Sequence, residues 1–421
     1  MSPTVTQAPA IRRAPPLAWA ILGLGVFAYA VAVLNRSSLG VAALEAQERL
    51  NASAAQLALF SVLQLGVYAV MQVPVGVLLD RHGPRVLISC GLLLMALGQG
   101  LLAVADSVPV GVVARMLVGA GDAMTFISVI RAAVNWFPPS HLPLVTQATA
   151  IVGQCGQLAA TYPLITLLAG FGWTTTFLSA AAVTLLVFVL AALLLRDAPA
   201  DSDHRLHRTG LGETRTSLLL AWRQPGTRLG FWCHFTVQFS GMLFVLIWGY
   251  PFLVEGQGLS PGRAGALLAS MVPAGILMGF ALGRLSALHP QRRMHLVVAC
   301  LVATVATWTA VIAWPGTAPG WLLGLLALAL ASNVPASMVG IDIARSHNPR
   351  ERLGIATGMT NSGGFFAALV AILLIGATLD LVSGSGGYGT SEFRVAMATQ
   401  FIVWILGSLL LLRAHRHLRD V

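Results

Sequence analysis

The sequence predicts an all-α integral membrane protein of twelve transmembrane helices, arranged as two six-helix pseudo-symmetric halves. Three observations lead there. Of 421 residues, 57% are hydrophobic and only 10% charged, against a charged share of about 25% in soluble domains. The apolar residues fall in blocks of roughly 20, long enough to cross a bilayer, rather than in the charge-broken stripes of a soluble fold. One long polar interruption, residues 196–228, leaves six blocks in residues 1–195 and six in 229–421.

In order, the blocks are 17–43, 55–79, 86–105, 109–137, 143–169, 173–195, 229–254, 264–288, 295–314, 320–344, 353–379 and 394–412. The first follows Arg12 and Arg13 as a secretory signal would, but its apolar run outlasts a signal core and continues into Arg36, so it reads as an uncleaved span. The second closes on GVLLDRHGPR, residues 76–85, and the fourth carries Arg115 and Asp122. Polar groups return in the seventh, with His234 and Gln238 on one helical face, and in the tenth, with Asn333. Asn361, Ser362, Gly363 and Gly364 interrupt the eleventh. Within 196–228, Thr214–Trp222 reads as a flexible loop in preference to a short interfacial helix.

The formal charge is +10, and all 25 basic residues are arginine. They lie singly and in pairs at block ends, not along one face, which argues for topology signals and against a nucleic-acid partner. One side collects Arg12, Arg13, Arg81, Arg85, the arginines of 196–228, Arg292, Arg293, Arg345, Arg350, Arg352, Arg413, Arg416 and Arg419. The other holds little beyond Arg49, Arg263 and Arg394, so both termini are expected in the cytoplasm. The four cysteines are far apart inside apolar blocks, which gives no zinc or disulfide spacing. Without lysine, a nucleophile triad or a metal cluster, no enzyme and no cofactor are expected.

The polar stretch after the second span has a counterpart after the eighth. Gly76, Leu78, His82 and Arg85 recur at one constant offset as Gly283, Leu285, His289 and Arg292, which supports an internal repeat.

Twelve spans, an arginine-rich central loop and G-x-L-x-D-R-x-G-x-R after the second span resemble the major facilitator superfamily over essentially the whole chain. Gly76, Leu78, Asp80, Arg81, Gly83 and Arg85 occupy the positions of that family's motif A, while Pro84 stands where a basic residue is usual. RMLVGAGDA, residues 115–123, and GWTTTF, residues 172–177, resemble the family's signatures in the fourth and sixth spans. AIVGQCGQ, residues 150–157, has the glycines of the antiporter motif but lacks its glycine-proline pair. The resemblance implies a cytoplasmic latch, in which Gly76 allows close helix approach, Gly83 a tight turn, and Asp80 caps a helix or pairs with an arginine. Expected partners are Arg131 and the start of the eleventh span around Gly354.

Ionisable groups at membrane depth are costly unless paired or facing water, and so are functional candidates. Arg115 and Asp122, seven apart, share a helix face about 10 Å apart along the axis. Arg36 either snorkels to headgroups or faces the cavity, and its polar neighbours Asn35, Ser37 and Ser38 favour the cavity. In the family both spans line a central cavity, so two arginines and one carboxylate there suit a small anion. Asp122 is the expected proton carrier, because a dry cavity favours its neutral form and a nearby arginine its charged form. These positions, with Tyr68 and Gln72 in the second span, are similar to the anion:cation symporters, some of whose sugar-acid carriers have an acid where Asn35 stands. His234, Gln238 and Asn361 suit hydroxyl recognition on the far side. The expected function is proton-coupled import of a sugar acid or similar carboxylate by a monomer in the inner or plasma membrane. The rivals are an efflux antiporter for drugs or metabolites and a transporter-like membrane sensor.

Overall fold

The computed structural model describes residues 16–52, 54–199, 211–383 and 388–419, so Arg12, Arg13, Arg205 and Arg208 lie outside the described residues. Among the described residues every regular element is helical. The chain runs α1 (Pro16–Val41), α2 (Ala43–Leu50), α3 (Ala54–Val104), α4 (Val108–Trp136) and α5 (Leu142–Leu194). It continues with α6 (Leu211–Arg223), α7 (Pro225–Leu243), the single turn α8 (Gly249–Pro251), α9 (Pro261–Leu288) and α10 (Arg293–Ala313). The last are α11 (Gly320–Ala331), α12 (Asn333–Ser346), α13 (Leu353–Ser383), α14 (Thr390–Ala398) and α15 (Gln400–Arg419).

Ten described stretches are long and apolar enough to cross a membrane, and the protein is an integral membrane protein. Both α3, with 51 residues, and α5, with 53, far exceed the roughly 20 residues of one crossing. Each is broken at a glycine with positive φ: Gly83 at 82° and Gly172 at 73°. The outward faces are aliphatic, as contact with lipid requires; Leu193 and Leu277 are 71% and 70% exposed. The helices at the centre are α4 and the α11–α12 stretch, which bury far more of their length than α9 does.

Two groups of helices are evident from packing. In one, α1, α3, α4 and α5 pack together; in the other, α7 packs on α12, α13 and α15, while α9 packs on α11. They meet where α3 lies on α13 and where α5 lies on α9. The repeated glycines sit at those two crossings. A Cβ on Gly76 would come within 2.6 Å of the Gly354 carbonyl oxygen, and one on Gly283 within 2.8 Å of Gln147 Cγ.

Four local features differ from expectation. Thr214–Trp222 is helical, within α6; Trp222 packs edge-on against Phe231 of α7, and that apolar contact stabilises the helix. Asn361–Gly364 leave α13 unbroken, because Gly363 and Gly364 accommodate Phe231 and Gln238 of α7 rather than a turn. The tenth predicted span does part, between α11 and α12 at Ser332, beside Asn333. The seventh span becomes π-helical at Phe244–Trp248 and again at Phe252–Gly256. Pro251, between them, has no backbone N–H with which to continue regular α-helical bonding.

Candidate functional site

A cavity of about 250 Å³ lies between the two groups, on the opposite side of the α3–α13 crossing from the loop at Gly83. Arg36, Gln64, Tyr68, Arg115 and Asp122 line one side, and Val245, Leu246 and Ile247 the other. Arg36 is turned inward, so the headgroup alternative is set aside: its Nε lies 3.0 Å from Asp122 Oδ2, and its guanidinium carbon 5.5 Å from the centre of the Tyr68 ring. Asp122 is 1% exposed, and neither of its oxygens accepts an aligned hydrogen bond. Its charge is therefore balanced chiefly by Arg36, through an ion pair rather than through a set of donors that would fix it in the ionised form.

Arg115 has another role. Buried at 2% exposure, it donates from Nη1 to the Asn35 carbonyl at 3.1 Å and to Ser38 Oγ at 3.3 Å. Its Nη2 donates to the Arg36 carbonyl at 2.6 Å and to Gln64 Oε1. These bonds tie α4 to the turn of α1 that bears Arg36. Asn35 faces away from the cavity: its Nδ2 donates to Val31 O and Thr184 Oγ1, both at 2.9 Å, and its Oδ1 accepts from Gln99 Nε2 at 2.8 Å. Gln64, Gln99 and Thr184 were missed in the sequence. The available signal was the rarity of glutamine in apolar blocks, which marks a buried amide needing partners.

Of the other expected binding residues, only Tyr68 joins the cavity, and its ring packs tilted against Phe365 with centroids 4.1 Å apart. Gln72, His234, Gln238 and Asn361 are not among the residues that line this cavity. Asn361 Nδ2 donates to Gln72 Oε1 at 2.7 Å and to the Tyr68 hydroxyl at 3.3 Å, an amide clasp between α13 and α3. His234 and Gln238 do share a face of α7, but they bond to each other, Nδ1 to Oε1 at 2.6 Å, and pack against Gly340 and Gly364. The glycines of α12 and α13 let those helices pack closely against this face of α7.

The Gly76–Arg85 stretch forms a closed contact between the groups. Asp80 accepts from the backbone N–H groups of Gly354 at 2.8 Å and Ile355 at 2.9 Å, at the start of α13, where the helix leaves donors unpaired. Arg131 approaches Asp80 at 3.9 Å while donating to the Arg350 carbonyl at 2.5 Å. The Gly83 loop is held by Asp197, whose Oδ1 accepts from the Arg85 N–H at 2.8 Å, and by the Arg85 guanidinium on the Ala192 carbonyl. Arg81 is exposed. A second inter-group contact runs from Asp342 through Arg345, 2.6 Å away, to Thr146 of α5 at 3.4 Å.

This geometry, a charged cavity between two groups joined by a helix-capping latch, agrees with a family comparison. The model of the Major Facilitator Superfamily matches residues 25–372. The chain belongs to the major facilitator superfamily. Similar proteins include a probable sulfoacetate transporter of Cupriavidus necator, 26% identical over 61% of this chain and 62% of that protein. The hexuronate transporter of Bacillus subtilis is 27% identical over 54% of each chain. A probable galactarate/D-glucarate transporter of Escherichia coli is 25% identical over 82% of this chain and 85% of its own. The chain thus spans less than two thirds of the first two of these relatives. The fold also matches a crystal structure of a bacterial homolog of the human lysosomal transporter Spinster, inward-facing and unoccupied, with TM-score 0.63 at 15% identity over 96% and 98% of the two chains. The superfamily and these relatives are transporters, and this member is not an enzyme.

Proposed function

We propose that the protein is a secondary transporter that imports a small organic anion together with protons by alternating access. Counting α3 and α5 as two crossings each, divided at Gly83 and Gly172, supports twelve spans in two six-helix halves. The arginine bias supports an inner or plasma membrane orientation with both termini cytoplasmic; the working form is the monomer.

The observation that carries the reading is the Arg36–Asp122 pair on the cavity wall, 3.0 Å apart and buttressed by Arg115. Two arginines and one ionised carboxylate leave the empty site at +1. Protonating Asp122 removes Arg36's counter-ion, and a substrate anion takes the vacated place, so proton and anion load together. Release of the proton to a less acidic interior re-forms the pair and expels the anion. The closed latch at Asp80 with the cavity beyond it supports an outward-facing state, and parting of Asp80 from α13 is the step that opens the interior. The relatives named for sulfoacetate, hexuronate and galactarate or glucarate support a small anionic cargo.

Uptake of labelled carboxylates, sulfonates and sugar acids into proteoliposomes, with and without an inward proton gradient, tests the proposal. Gradient-dependent accumulation of an anion, lost in Arg36→Gln, is expected. Export of hydrophobic cations with no uptake of any anion would replace it with the efflux reading.

A further inference from the structure

We infer that the transported anion has an apolar body, a short aliphatic or aromatic carboxylate or sulfonate, rather than a polyhydroxylated chain. This rests on the anion-carrier reading above and names the substrate class for the same site.

The cavity is chemically two-sided. Arg36 of α1 and Arg115 and Asp122 of α4 carry all of the formal charge of its lining, and the polar side chains of Ser37, Ser61, Gln64, Tyr68 and Gln157 lie with them in the same helix group. Opposite, the described residues contributed by the other helix group are Val245, Leu246 and Ile247, whose side chains offer no donor or acceptor. Val245 and Leu246 are 38% and 41% exposed, an apolar surface that an apolar body would cover.

The imidazole and amides expected to read hydroxyls in this half lie outside the cavity lining. His234 and Gln238 bond to each other, and Asn361 bonds to Gln72 and Tyr68. The aliphatic wall is also a built feature, since it lies within the π-helical stretch Phe244–Trp248. Such stretches are rare and concentrate at functional sites. Trp248 closes it by donating from Nε1 to the Ile372 carbonyl at 3.3 Å.

An anion held at Arg36 in a cavity of about 250 Å³ extends its body toward this wall. A methylene chain gains from leaving water there. Each hydroxyl of a sugar acid loses its water and meets no side-chain partner on that side, a penalty that accumulates along the chain.

The test is titration calorimetry of the purified full-length protein in detergent with charge- and length-matched pairs, hexanoate against gluconate and butyrate against threonate. Binding in detergent avoids the leakage of free acids through a bilayer. The unsubstituted member of each pair is expected to bind at least tenfold tighter. Leu246→Gln, at a partly exposed position, is expected to narrow that ratio to under threefold; Val245→Thr provides a smaller change of the same sign. Equal or tighter binding of the polyols overturns the inference and leaves the anion-carrier reading standing. Failure of a monodisperse protein to bind any of the four overturns both.

Discussion

Replacing Asp80 by alanine isolates the latch. Its carboxylate accepts two backbone N–H groups at the start of α13, at 2.8 and 2.9 Å, with only 9% of the residue exposed. Removing a capping acceptor costs about 1 kcal/mol, and losing a negative charge at a partly buried helix N-terminus costs about 1 more. The closed state therefore loses about 2 kcal/mol, and the closed-to-open ratio falls ~30-fold, at 1.4 kcal/mol per factor of ten. Spin labels at His82 and Glu351, both exposed on either side of the latch, report the ratio by pulsed electron resonance in a background lacking Cys90, Cys155, Cys233 and Cys300. The short distance should lose population in Asp80→Ala, and less so in Asp80→Asn, which keeps one acceptor oxygen. An unchanged distribution in a folded Asp80→Ala protein would refute the view that this cap holds the halves together.

Gly354→Val should prevent closure outright, since a Cβ there meets the Gly76 carbonyl oxygen at 2.6 Å; the same labels should show only the long distance. Arg115→Ala leaves the Asn35 and Arg36 carbonyls and Gln64 without their donor, and should cost about 3–5 kcal/mol, as removal of a buried charged partner does, read as a large fall in thermal midpoint. Asp342→Asn weakens the pairing of Arg345, itself bonded to Thr146, and should reduce stability by about 1–3 kcal/mol in the same thermal assay.

The long apolar helices and the contact of Asp80 with the start of α13 were legible in the sequence because both rest on local chemistry. Twenty apolar residues cross a bilayer wherever they occur, and an acid next to a turn seeks a helix N-terminus, here that of α13. The identity of Asp122's partner was not legible. Seven-residue spacing set Arg115 two turns away on the same helix, and only the lateral packing of α1 on α4 brings Arg36 to Asp122. Periodicity put His234 and Gln238 on one face, but their bond to each other and their packing beside Gly340 and Gly364 depend on how closely the glycines of α12 and α13 let those helices approach α7. The π-helical wall after α7 was signalled by Gly249 and Pro251, yet a proline in an apolar run more often reads as a simple kink.

The central claim is that anion and Asp122 compete for Arg36, so that anion binding is coupled to protonation of this one carboxylate. Affinity for a permanently charged anion such as butanesulfonate, measured across pH in the wild-type protein and in Asp122→Asn, tests it most directly. The account predicts that wild-type affinity falls toward tenfold per pH unit once Asp122 ionises, while Asp122→Asn binds with no such dependence. An equal pH dependence in both proteins would contradict it.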